Sequence, residues 1–89
     1  MTDNLTIVGK IVKALPTYIT PKGNEIQQII IRQSLNKYPN LIAVYVYGDL
    51  INRLGEGVDV MAYISIEAKL SKAGDSYHNV IKAWKMVPF

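Results

Sequence analysis

The chain contains no cysteine and only one histidine among 89 residues. The first absence excludes a disulfide framework and thiolate metal sites, and it fits a reducing compartment. The second leaves little for imidazole catalysis, because His78 has no serine in a nucleophile elbow such as G-x-S-x-G to work with. The seven acidic residues are scattered singly, so no D-x-D cluster gathers oxygen ligands for a cation. Gly55-Glu56-Gly57 starts a G-x-G-x-x-G pattern, but Val60 stands where the third glycine belongs, and no Walker-type loop is present. These gaps predict a protein that is not an enzyme and uses neither cofactor nor small-molecule substrate.

Long apolar runs are missing as well. None approaches the ~20 residues that a membrane-spanning helix requires. The opening MTDNLTIVGK does not have the basic-then-apolar order of a secretory signal. The expected location is the cytoplasm, with no membrane partner. Charged residues are scarce at 19% against 49% hydrophobic, the balance of a folded chain and not of a disordered one. The length suits one domain over residues 1–89 with a single core. A net charge of +3 permits an anionic partner without requiring one.

What is present is a succession of alternating segments. Residues 41–54, LIAVYVYGDLINRL, predict a strand followed at once by a short helix. Ile42, Val44 and Val46 alternate with Ala43, Tyr45 and Tyr47, so one face is aliphatic and the other ends in two tyrosines. Gly48 ends the strand, Asp49 is placed to cap a helix over 49–54, and Leu50, Ile51 and Leu54 give it an apolar side. Gly55 is placed to end that helix in a left-handed conformation.

The remainder supplies four more strands. Residues 5–15 form the first, and Gly9 within it suggests a bulge or sharp bend, as when one strand serves two sheets of a small barrel. Pro16 to Asn24 reads as a loop, and residues 25–35 as the second strand. Asn36 to Asn40 makes a turn that joins it as an antiparallel hairpin to the third strand, 41–47. After a turn at Glu56-Gly57, residues 58–68 alternate cleanly, with Val58, Val60, Ala62, Ile64, Ile66 and Ala68 on one face. A polar loop over 69–76 leads to a fifth strand, 77–89. Five strands with a helix between the third and fourth is the arrangement of the all-β OB-fold, a Greek-key barrel. A five-stranded SH3-like barrel competes, but its helical turn normally falls one connection later.

In an OB-fold the ligand crosses the second and third strands, between the loops joining strands one to two and four to five. Flat side chains and cations at those places suit single-stranded nucleic acid, which is held by base stacking and phosphate neutralisation. Tyr45 and Tyr47 lie on the non-core face of the third strand, and Arg32 on the second. Tyr18 and Lys22 lie in the first of the two loops. Lys69 and Lys72 lie in the other, which runs into Tyr77. The expected roles are stacking for Tyr47, Tyr45, Tyr18 and Tyr77, and phosphate contact for Arg32, Lys22, Lys69 and Lys72. The alternative is an assembly module whose tyrosine face is a subunit interface, since tyrosine is at home in strands and interfaces. Tyr63 is expected to be structural or interfacial, and Trp84 to pack beside Ala83 and Met86.

These features resemble the OB-fold single-stranded-DNA-binding proteins. In their bacterial members an aromatic residue and glycine end the third strand, before a short helix and a second glycine turn. Tyr47-Gly48, Asp49 to Leu54 and Gly55-Glu56-Gly57 match that succession. The chain is also similar to a family of small single-domain bacterial proteins common in Bacteroidetes. The shared features are Gly9, Lys22-Gly23, Tyr38-Pro39, Tyr47-Gly48-Asp49 and Ala83-Trp84-Lys85. The resemblance implies single-stranded DNA as partner, with RNA as the other candidate strand. It further implies work in replication, repair and recombination, and assembly as a homo-dimer or homo-tetramer. Two departures stand out. Position 47 is tyrosine where the small bacterial family usually has tryptophan. The ending Val87-Pro88-Phe89 is similar to the partner-recruiting tip of the bacterial binders, but Lys82 and Lys85 precede it in place of an acidic tail. It is expected to be the end of a strand.

Overall fold

A computed structural model describes residues 5–33 and 40–89. Most of the Asn36 to Asn40 turn, including Tyr38-Pro39, lies outside the described residues. The elements are β1 (Leu5–Ala14), β2 (Tyr18–Ile19), β3 (Glu25–Arg32), β4 (Leu41–Tyr47), a 3-10 turn (Gly48–Leu50), β5 (Asp59–Leu70) and β6 (Tyr77–Pro88). Their order across the sheet is β1-β5-β6-β4-β3-β2, and β1 pairs additionally with β3, which closes five strands into a ring. All pairings are antiparallel except β4 with β6, which meet in parallel at Tyr45 and Lys82. This is the all-β, five-stranded OB barrel the sequence predicts.

Alternation builds the core. Ile7 and Ile11 of β1, Ile29 and Ile31 of β3, and Val44 and Val46 of β4 point inward. They meet Val60, Ala62 and Ile64 of β5 and Ala83 and Met86 of β6. Ile66 and Ala68 continue the inward row of β5 yet are exposed, because the β5–β6 hairpin runs on past the barrel as an arm. Phe89 donates its N–H to the Asp59 carbonyl at 2.9 Å, so the chain end does continue the strand.

One strand does serve two neighbours, as the first segment predicts. Leu5 to Lys10 pair with β5, and Lys10 to Ala14 pair with β3. The bulge, however, lies between Ile11 and Lys13, not at Gly9. Gly9 instead lies where the β3 backbone comes closest: a Cβ there would sit 2.3 Å from the Arg32 carbonyl oxygen.

The helix expected over 49–54 is one 3-10 turn, and Asp49 does not cap it. The Ile51 N–H reaches the Gly48 carbonyl at 3.1 Å, but the next N–H, of Asn52, is taken by Gln27 Oε1 at 3.0 Å. An α-helix would need that Asn52 N–H on Gly48, so the β3 side chain ends the helix after one turn. Asn52, not Gly55, takes the left-handed conformation, with φ of 56°. Leu50, Ile51 and Leu54 still turn their apolar groups against the core.

Gln27 is the one buried polar side chain among the described residues, at 3% exposure. Its Nε2 donates to the Leu15 carbonyl at 3.0 Å and to Asn52 Oδ1 at 2.9 Å. Gln27→Leu would leave these partners unpaired in a partly dry place, a loss of about 1–3 kcal/mol. The expected result is a lower urea midpoint with an unchanged slope. An unshifted midpoint would show that water replaces the amide.

Candidate functional site

The residues read as a loop over 16–24 form a small hairpin. Thr20 organises it: its N–H donates to the Asn24 carbonyl at 2.8 Å, and its hydroxyl accepts the Asn24 N–H at 3.2 Å. This clip sets Tyr18 opposite Ile26 of β3, which is itself opposite Tyr47 of β4. A cross-strand row Tyr18–Ile26–Tyr47 results on the outside of the barrel. A parallel row beside it runs Gln28–Tyr45–Lys82 across β3, β4 and β6. Tyr45 and Tyr47 are two residues apart, about 7 Å along the strand.

The two rows floor a groove made of three adjoining hollows. The first is lined by Tyr18, Ile26, Tyr45, Tyr47, Lys69 and His78, among others. Lys22, Thr20, Tyr47, Lys69 and Lys82 wall the second. Tyr47, Asp49, Ser65, Lys82 and Trp84 line the third. Tyr47 borders all three, with 36% of its surface exposed. Gly48 makes this position possible: at φ of 55° it turns the chain away immediately after the ring.

The electrostatics of the groove centre on Lys82. Its ammonium lies 5.6 Å from the Tyr47 ring centroid and makes an ion pair with Glu67. Lys69 stands 3.9 Å from the same carboxylate. The hydrogen bond from Lys82 holds the Glu67 carboxyl below its ordinary 4.5, and in return Glu67 raises the Lys82 ammonium above its ordinary 10.5. Loss of water around the Tyr18 hydroxyl, then the nearby phenols of Tyr45 and Tyr47, push Tyr18 above 10.0. Among the described residues, no group of three or more His, Asp or Glu side chains could hold a metal ion.

Of the eight residues singled out in the sequence, five come together here: Tyr18, Lys22, Tyr45, Tyr47 and Lys69. Arg32 is on the same outer face at its far end, paired with Leu41 and Lys10. Lys72 is in the turn at the tip of the arm. Tyr77 is opposite Leu70 while His78 is opposite Lys69. Since Lys69 and His78 face the groove, Tyr77 points from the other side of the arm, 72% exposed.

Sequence reasoning missed Lys82, His78 and Trp84. The first two follow from alternation, because His78, Val80 and Lys82 are every second residue of a strand lying beside the tyrosine strand. Trp84 carries no such signal. Tyr63 pairs with Lys85 and Ile64 with Ala83, so Trp84 is the extra residue of a bulge. It is therefore 56% exposed rather than packed with Ala83 and Met86, and its ring leans on Tyr63 at 5.4 Å between centroids.

No family model and no curated protein matches the chain, so its similarity to the small bacterial family rests on the shared residues alone. Solved structures do match it. One crystal form of Rim1, the mitochondrial single-stranded DNA binding protein of S. cerevisiae, has a TM-score of 0.78 at 12% identity, over 97% of this chain and 94% of that one. A second crystal form also gives 0.78, at 13% identity, over 96% of this chain and 91% of that one. At such identities the likeness is one of fold: the chain has the OB barrel found in a single-stranded DNA binding protein.

Proposed function

We propose that this chain binds single-stranded DNA, or RNA of the same unpaired form, without catalysing any reaction. Bases stack on Tyr47, Tyr45 and Tyr18, and phosphates meet Lys22, Lys69, Lys82 and, at the far end of the face, Arg32. Lys72 and Tyr77 serve a strand that continues along the arm. The observation that carries this reading is the pair of cross-strand rows, which put three tyrosines and a lysine on one open outer face. Each ring can contribute about 1–3 kcal/mol to a stacked base irrespective of sequence. The fold likeness to a single-stranded DNA binding protein supports the same reading.

One domain offers few contacts, so a homo-dimer or homo-tetramer that tethers several grooves would bind a long strand far more tightly. Its service would be to protect exposed strands in replication, repair and recombination. The test is a fluorescence titration with oligo-dT at several salt concentrations. Four cations on phosphates predict a log–log salt slope of about −3, at roughly −0.7 per phosphate for single strands. Absence of binding at low salt would overturn the reading.

A further inference from the structure

Asp49 is the acidic residue that lines a hollow, but Glu67, beside the groove, is the one that pairs with two of the groove's lysines. Glu67 is on the outward-facing row of β5, beside Lys69 two residues on and diagonal to Lys82, which is opposite Ser65 on β6. Its carboxylate engages both ammonium groups, and these are the two ion pairs among the described residues. Lys82 is the less exposed partner, with 28% of its side chain accessible against 49% for Glu67. It lines two of the three hollows and approaches the Tyr47 ring. The carboxylate thus holds the groove's central cation.

We infer that Glu67 is a built-in competitor for phosphate: in the free protein it occupies Lys82 and Lys69, and a strand must displace it to bind. This rests on the groove being a strand-binding face. A carboxylate and a phosphate oxygen offer an ammonium the same charge-assisted hydrogen bond. A phosphate following a base stacked on Tyr47 would have Lys82 as its nearest cation. Displacement leaves Glu67 without its ammonium partners but in water, since it is half-exposed, so the exchange is reversible and costs little. The competitor thereby lowers affinity without removing a contact, and it favours ligands that present several phosphates over single anions.

Glu67→Gln keeps the side chain's shape and removes the charge. It should tighten oligo-dT binding about two- to fivefold at low salt, the range expected for a partly exposed ion pair. The gain should shrink in a Lys82→Ala background and disappear when Lys69→Ala is added, where there is nothing left to unmask. Glu56→Gln removes the same charge outside the groove, and its effect measures non-specific repulsion alone. Unchanged or weaker binding by Glu67→Gln would overturn the inference while wild-type binding left the functional reading standing. An equal gain from Glu56→Gln, or a gain that persists with both Lys69→Ala and Lys82→Ala, would overturn it too. If the wild type fails to bind oligo-dT, the functional reading itself falls.

Discussion

Alanine in place of Tyr47 is expected to weaken oligo-dT binding roughly five- to 150-fold, the span of about 1–3 kcal/mol for one stacked base. The effect should exceed that of any other single tyrosine for a geometric reason. Tyr47 is shared by all three hollows, whereas Tyr18 and Tyr45 each border only the first. Its removal also takes away the ring 5.6 Å from the Lys82 ammonium, which frees that side chain to rotate out of the groove. Stability should hardly change, because the ring stands outside the barrel while Val44 and Val46 supply the strand's core contacts. Tyr47→Phe keeps the stacking surface and should stay near wild type. Tyr63 shares the outer face but lines none of the three hollows, so Tyr63→Ala should change affinity far less than Tyr47→Ala. Undiminished binding by Tyr47→Ala would remove the stacking role. A changed mass by light scattering with intact binding would instead make the tyrosine face a subunit contact.

The parts of this molecule legible in the sequence are those governed by alternation. Val44 and Val46 inward with Tyr45 and Tyr47 outward follows from a period of two, and it survives whatever the neighbours do. The same rule places Val60, Ala62 and Ile64 in the core, and it fails for Ile66 only because the strand outruns the barrel. What escaped was decided by partners distant in sequence. Asp49 to Leu54 has the composition of a capped helix. The amide of Gln27, more than twenty residues earlier, claims the Asn52 N–H and cuts it to a turn. Lys82 reads as an ordinary surface lysine until the parallel pairing of β6 with β4 sets it beside Tyr45. Trp84 reads as core until a bulge turns it outward. Tertiary hydrogen bonds override local preference in each case.

Gly9 shows the same limit and leads to the largest expected loss of stability. Glycine in a strand suggests a bulge, but the bulge is three residues on, and Gly9 is required by proximity alone. A Cβ at this position would stand 2.3 Å from the Arg32 carbonyl oxygen, 2.9 Å from its carbon and 2.9 Å from Ile31 Cγ2. Carbon and oxygen ordinarily approach to about 3.3–3.6 Å, so about 1 Å must be gained, and the obstacle is backbone that cannot rotate aside. β1 and β3 would have to separate where their pairing closes the ring. Gly9→Ala should therefore cost at least the 1–3 kcal/mol typical of overpacked cores. In a domain of this size each kcal/mol lowers the melting temperature by roughly 4–8 °C, so a fall on the order of 10 °C is expected. Gly55→Ala provides the contrast. Its φ lies outside the left-handed region and no atom stands within 4 Å of the added Cβ. That substitution should be neutral or raise stability by up to about 1 kcal/mol through the unfolded chain. Thermal melts of the two variants decide the matter, and a Gly9→Ala protein that melts with the wild type would show that the barrel can open at its closing pair without cost.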